Sequence, residues 1–252
     1  MSDPGGESHP TVADDALFRP VRAGNAFEDT VARLLQAIRL GIVAPGEALP
    51  AERDLAARFA VSRDTVREAI KSLADAGFVV SKRGRYGGTF VCETLPPRGV
   101  ANAVEEAAQQ HEEITAAEID DVLGLREILE TGGARASAAR PLAAAERDML
   151  WTRLQETAES PVEDYRRLDS RLHLTIAELA GAPSLVPLIA DNRMRINDLL
   201  DRIPLLEPNI AHSNAQHEAV AIAILAGDGD RAADAMREHL EGSAALLRGF
   251  LT

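Results

Sequence analysis

Residues 49–70 read Leu49-Pro50-Ala51-Glu52-Arg53-Asp54-Leu55-Ala56-Ala57-Arg58-Phe59-Ala60-Val61-Ser62-Arg63-Asp64-Thr65-Val66-Arg67-Glu68-Ala69-Ile70. Pro50 is placed to open a short helix with Leu55, Ala56 and Phe59 inward, and Ser62 is placed to start a second. On that second helix Val66, Ala69, Ile70 and Leu73 share one face, while Arg63, Arg67 and Lys71, each four apart, share another. A helix with one buried face and an arginine-bearing face suits the major groove, where guanidinium can donate two hydrogen bonds to guanine O6 and N7.

Upstream, Val31, Leu34, Leu35 and Ile38 recur at helical spacing from Phe27, and Gly41 stops that helix. Downstream, Phe78-Val79-Val80 leads to a basic, glycine-rich tip, and Thr89-Phe90-Val91 returns from it, so 78–91 reads as a hairpin. Helix, helix, turn, helix and hairpin is the order of a winged helix-turn-helix. Arg53 stands where it would meet phosphate, Ser62 and Thr65 offer short hydroxyls to phosphate or base edges, and Lys82, Arg83 and Arg85 flank Gly84 at the wing.

The charge distribution agrees with that division. The chain has 252 residues and a net charge of −13. Residues 27–91 carry ten Lys+Arg against eight Asp+Glu, whereas residues 92–252 carry 15 Arg against 28 acids. An average that argues against nucleic acid therefore conceals one slightly basic segment attached to a strongly acidic one. The apolar share of 46% fits a globular protein. No apolar run approaches the roughly 20 residues a membrane helix needs. The first residues lack a signal-peptide pattern, and the single cysteine, Cys92, fits a reducing compartment; the expected location is the cytoplasm.

Residues 1–24 read as a mobile tail, 25–93 as the winged helix-turn-helix, and 94–115, opening with Leu95-Pro96-Pro97, as a linker with a possible helix near 100–111. Residues 116–251 are alanine-rich and helical in pattern. The expected helices cover 117–138, 143–159, 162–180, 184–202, 211–226 and 229–250, so the expected fold is mostly α, with an antiparallel bundle of six or seven helices behind a small β-hairpin domain.

Three histidines fall on the inward faces of that bundle. Asp169 and His173 are four apart on one helix. His217 and His239 lie 11 residues either side of Asp228 in the Gly227-Asp228-Gly229 turn, which sets them at one height in an antiparallel pair. One Asp and three His are N/O ligands suited to Zn, Ni or Mn ions; an inward histidine can equally be a hydrogen-bonded core residue. Arg126 also faces inward, either paired with Glu130 or free to grip a carboxylate, and Asn192 shares an inward stripe with Ile189 and Ile196. His212, some 140° around its helix from His217, is expected to face elsewhere, and Trp151 and Tyr165 are expected in the core.

The N-terminal motifs Gly41-x-x-x-Pro45-Gly46-x-x-Leu49-Pro50-Ala51-Glu52-Arg53-Asp54-Leu55-Ala56, Val61-Ser62-Arg63-Asp64-Thr65-Val66-Arg67-Glu68-Ala69-Ile70 and Gly84-Arg85-Tyr86-Gly87-Gly88-Thr89-Phe90-Val91 resemble the GntR family of bacterial transcription regulators. The resemblance implies DNA contacts at Arg53, Ser62, Arg63, Thr65, Arg67 and Gly84, with Arg85 beside them on the wing. Asp64 stands where some members place a hydroxyl. The C-terminal motifs Leu125-Arg126-Glu127-x-x-Glu130, Asp169-x-x-x-His173, His217-Glu218 and His239-Leu240 resemble the FCD ligand-binding domain of the FadR subfamily. That resemblance implies a divalent metal on Asp169, His173, His217 and His239, a small carboxylate effector completing its coordination near Arg126, a homodimer on operator DNA and, as the expected sign of control, repression. Two other functions fit parts of the pattern. A metal-dependent hydrolase could use the same four ligands, but no further acid or base stands at a defined spacing. A fatty acyl-CoA sensor would need an apolar tunnel.

Overall fold

The computed structural model describes Phe18 and residues 26–84, 87–96, 114–203 and 207–251. The expected helix at 100–111, the expected tail apart from Phe18, and Arg85 lie outside them. The head comprises α1 (Ala26–Arg39), α2 (Glu52–Phe59), α3 (Arg63–Asp75), β1 (Val79–Lys82) and β2 (Gly88–Val91). Pro50 precedes α2 rather than opening it: Ala51 is the N-cap, and Glu52 and Asp54 place their carboxylates in the first turn, where the helix dipole favours them. Ser62 caps α3, its Oγ accepting from the Thr65 N–H at 3.0 Å.

The strands pair antiparallel with Val79 opposite Val91 and Lys82 opposite Gly88. Gly84 at the wing holds φ +112°, a left-handed value that a side chain would strain. Leu34, Ile38, Leu55, Phe59, Val66, Leu73 and Val79 form the head's core.

The bundle consists of α4 (Ala116–Ala138), α5 (Ala144–Ala158), α6 (Tyr165–Leu179), α7 (Leu185–Leu200), α8 (Glu207–Leu225) and α9 (Gly229–Leu251), six helices among the described residues. A 3-10 turn at Val162–Asp164 occupies the start of the span expected to be helical from 162. Helix α8 begins four residues earlier than expected. Pro208 is its second residue, where a missing N–H costs no intrahelical hydrogen bond. Thr115 and Glu118 form a reciprocal cap on α4. None of the helices in the described residues is long and apolar enough to cross a membrane.

Helix α6 is the axis of the bundle, with α4, α5 and α7 packed around it. Every residue from Asp169 to Leu179 is buried. Charged residues there require partners, and Arg171 meets Glu178 two turns on at 2.8 Å. The head docks on the same helix: Leu40 packs into a cluster with Leu174, Ala177, Val186 and Ile189. Two apolar clusters divide the bundle. One contains Leu150, Leu172, Ile176, Val220, Ile224 and Met236, the other Ile119, Leu123, Ile196, Leu199 and Leu247. Along α4, Arg126 and Glu130 fall between Leu123 of one and Ala134 of the other. Along α9, His239 falls between Met236 and Leu247. A polar layer is thus enclosed by apolar packing on both sides.

Candidate metal centre and DNA-binding head

The polar layer brings Asp169, His173, His217 and His239 together, all buried, with one ligand atom of each within 4.8 Å of the others. His217 Nε2 is the hub: it lies 3.3 Å from His173 Nε2, 3.2 Å from His239 Nε2 and 3.2 Å from Asp169 Oδ1. Asp169 Oδ1 is 3.6 Å from His173 Nε2. Nitrogen or oxygen ligands ~2.0–2.1 Å from a shared zinc ion lie about 3.3 Å apart at tetrahedral angles, so these separations suit a divalent ion. The donor set suits it as well, because three ring nitrogens and a carboxylate oxygen turned on one point offer more lone pairs than one ring proton can satisfy, and they are N/O ligands of the kind that borderline divalent ions take. The turn count places His217 opposite His239, and the four-residue spacing places Asp169 beside His173; both relations hold in space.

Around this cluster is a ring of buried charge that the sequence reading left largely unassigned. Glu130 Oε2 is 2.5 Å from His173 Nδ1, which fixes the ring with Nε2 toward the cluster. Arg193 grips Asp169 Oδ2, reaches Ser170 Oγ at 3.3 Å, and approaches Glu130 Oε1 to 3.8 Å. Arg126 sits 3.3 Å from Glu130 Oε1 and donates to Ser243 Oγ at 2.7 Å. Burial alone would push the Glu130 and Asp169 carboxyls up. The arginines and histidines beside them outweigh it and hold both below the usual carboxylate range. Burial pushes His173 down to about 4 and His239 well below its ordinary value, so both rings are neutral at pH 7, the form that binds metal. The Nδ1 atoms of His217 and His239 have no hydrogen-bond partner among the described residues.

Arg193 is missing from the sequence reading although a signal for it exists. Asp169 and Arg193 lie 12 residues either side of Gly181, the same equidistance that pairs His217 with His239. Replacing Arg193 by alanine leaves the Asp169 charge buried and unpaired in the metal-free protein. The expected cost is about 3–5 kcal/mol in urea unfolding, and a loss under about 1 kcal/mol would contradict this role.

A cavity of about 300 Å³ opens beside the cluster, with Arg126, Asp169 and His239 on its inner wall. Two expectations change here. Tyr165, expected in the core, is buried yet lines this cavity, its hydroxyl 3.3 Å from Asn214 Oδ1. His212, expected to face away, also lines it. It is exposed at the rim, because the cavity curves around α8 beyond the face that carries His217. Asn192 is buried elsewhere, donating to the Val122 carbonyl at 3.1 Å, and does not line the cavity.

In the head, Arg63, Arg67 and Lys71 lie exposed along α3, with Arg53 exposed on α2 and Lys82 and Arg83 on the wing. Arg67 is held between Asp64 Oδ1 at 2.9 Å and Glu52 Oε2 at 3.2 Å, and Arg53 meets Asp54 at 3.1 Å. Ser62 and Thr65 hydroxyls engage each other at 2.8 Å at the exposed N-terminus of α3. Lys82 lies 4.7 Å over the Phe90 ring.

Comparison with known proteins matches residues 27–91 to the family described as bacterial regulatory proteins, gntR family, and residues 121–242 to the FCD domain. An Escherichia coli (strain K12) protein described as an L-lactate dehydrogenase operon regulatory protein is 30% identical over 241 residues, covering 93% of this chain and 90% of that one. The HTH-type transcriptional regulator LutR of Bacillus subtilis (strain 168) is 26% identical over 220 residues, covering 84% of this chain and 97% of its own. Among solved structures, E. coli McbR/YncC matches with a TM-score of 0.53 at 17% identity, over 89% of this chain and 97% of that one, a likeness of fold.

Proposed function

Because the chain belongs to the gntR family of bacterial regulatory proteins, with an FCD domain behind its DNA-binding head, we propose that it is a dimeric repressor whose hold on operator DNA is controlled by a small carboxylate at a metal site in the bundle. It is a DNA-binding transcription regulator and not an enzyme. The observation that carries the sensing half is the convergence of Asp169, His173, His217 and His239 on one buried point.

These four residues would hold the ion, which when bound supplies a Lewis-acidic anchor for an anionic ligand. The protein's own charges indicate the ligand's sign. Arg126 and Arg193 balance Glu130 and Asp169, so a divalent ion leaves the buried layer two charges positive, and an anion relieves that. Arg126 faces the cavity and has donors to offer a carboxylate. The relative named for an L-lactate dehydrogenase operon is associated with the same chemistry, a 2-hydroxy carboxylate. The cavity of about 300 Å³ is far too small for an acyl-CoA.

Helix α7 supplies a route from this site to the head. Arg193 grips the ligand residue Asp169, while Asp191, two residues away, accepts from Gln36 Nε2 at 2.9 Å and Arg33 Nη1 at 3.2 Å on α1. On α6, Leu174 follows His173 and packs against Leu40 of the head. A shift of α6 or α7 on ligand binding therefore moves α1, and with it the spacing of two recognition helices in a dimer on a pseudopalindromic operator.

The test uses zinc-loaded protein and an operator selected by the protein from a random duplex library. L-lactate, citrate and 3-phenyllactate are titrated while DNA binding is followed by fluorescence anisotropy. At least one carboxylate is expected to weaken binding by ~5–150-fold, the usual range of allosteric coupling. An unchanged affinity with all three would remove the sensing half of the proposal.

A further inference from the structure

The cavity beside the four-ligand cluster is asymmetric in a way that restricts the ligand's chemistry. At its inner wall stand Asp169, His239 and Arg126, and Arg126 is the one arginine or lysine lining it among the described residues. That guanidinium is 2% exposed and is held by Glu130 and Ser243, so it is fixed in place. The rest of the lining joins Leu200, Ile210, Ala245 and Leu246 to the uncharged polar groups of Asn209, Ser213 and Gln216, with His212 at the rim, and most of the surface the cavity presents is carbon. One end therefore receives a single negative group and the other receives hydrocarbon.

Size restricts it further. A closed apolar cavity of ~150 Å³ holds a benzene ring. The 300 Å³ here is about twice that, space for a ring and a short carboxylate-bearing chain. A three-carbon hydroxy acid would leave the apolar end empty. A tricarboxylate would bring three negative groups to a cavity with one lining arginine and press the others against Leu200, Ile210 and Leu246.

We propose that the cavity takes a monocarboxylate with an aryl-sized apolar body, of the 2-hydroxy-3-aryl acid class, its carboxylate toward Arg126 and the four-ligand cluster and its ring among Leu200, Ile210 and Leu246. The assignment rests on reading the bundle as a carboxylate site, and it makes the apolar wall the determinant of ligand choice. Each methylene buried there is worth roughly fourfold in affinity. A phenyl group in place of hydrogen on the lactate methyl should therefore gain ~10–100-fold.

Calorimetric titration of the zinc-loaded full-length protein with 3-phenyllactate, L-lactate and citrate tests this. The expected order is phenyllactate tightest, by ~10–100-fold over lactate. Leu246 is half-buried, lines the cavity and is not one of the four ligands, so the variant that tests the wall is Leu246→Gln. It is expected to abolish most of that preference, bringing the ratio of phenyllactate to lactate affinity down to about threefold or less, and Ile210→Gln is the second variant should the first not fold. Lactate or citrate binding as tightly as phenyllactate, or a preference unchanged in both folded variants, overturns the aryl assignment and leaves the carboxylate reading standing. Binding of none of the three overturns both.

Discussion

Replacing Arg63 and Arg67 together by alanine is expected to lower operator affinity by at least ~100-fold. Both side chains project from the exposed face of α3 beyond its Ser62 cap, and the opposite face of that helix is locked into the head by Val66, Ala69, Ile70 and Leu73. Each arginine that reads guanine is worth about 1–3 kcal/mol, and the proposed dimer would lose both copies. In the free protein Arg67 is occupied by Asp64 and Glu52. Those pairs are exposed to solvent and contribute little, so exchanging them for a base edge costs about 0–1 kcal/mol. Lys82→Ala on the wing is the contrasting variant. It should weaken binding to all sequences alike and lower the salt slope by about one per copy of the chain bound, without changing sequence preference. Affinity of the double variant within about fivefold of wild type, measured at fixed salt by anisotropy, would take base reading away from this helix.

The second large effect is on metal. His173→Ala/His217→Ala is expected to reduce bound zinc from about one ion per chain to less than a tenth, measured by elemental analysis after gel filtration. His217 Nε2 sits at the centre of the cluster, so its loss separates the remaining ligands. His173 is the ring that Glu130 orients. With two of four ligands gone, a borderline ion is left with one ring and one carboxylate, too few to hold it against water. The folded bundle should survive, because both substitutions leave the buried Arg126–Glu130 and Arg193–Asp169 pairs in place. Zinc should also raise the wild-type melting temperature, as any ligand of the native state does, and leave that of the double variant unchanged. Undiminished metal in the variant would show that the ion binds elsewhere.

Periodicity and turn counting make much of this legible from the chain alone. The head follows from three helical stripes and a basic hairpin. The pairing of His217 with His239 follows from their equal distance from Asp228. What escapes reading are the features that depend on burial from several sides. Helix α6 displays an ordinary apolar stripe through Leu168, Leu172 and Ile176, yet α4, α5, α7 and Leu40 of the head close over all of it from Asp169 onward. Charges that look solvated in the sequence, such as Arg171 and Glu178, are therefore paired in the interior. Arg193 is hidden for the same reason. One position beyond the apolar stripe of α7, it reads as a surface residue until Asp169 is placed opposite. His212 escapes because angular position on one helix does not describe a cavity bounded by several elements.

The most direct test of control from the buried site is the operator titration repeated on the His173→Ala/His217→Ala variant beside wild type, both zinc-treated, with each carboxylate in turn. Wild type is expected to release operator by ~5–150-fold with at least one of them, and the variant to bind operator without responding to any. A variant that responds as fully as wild type would contradict the account.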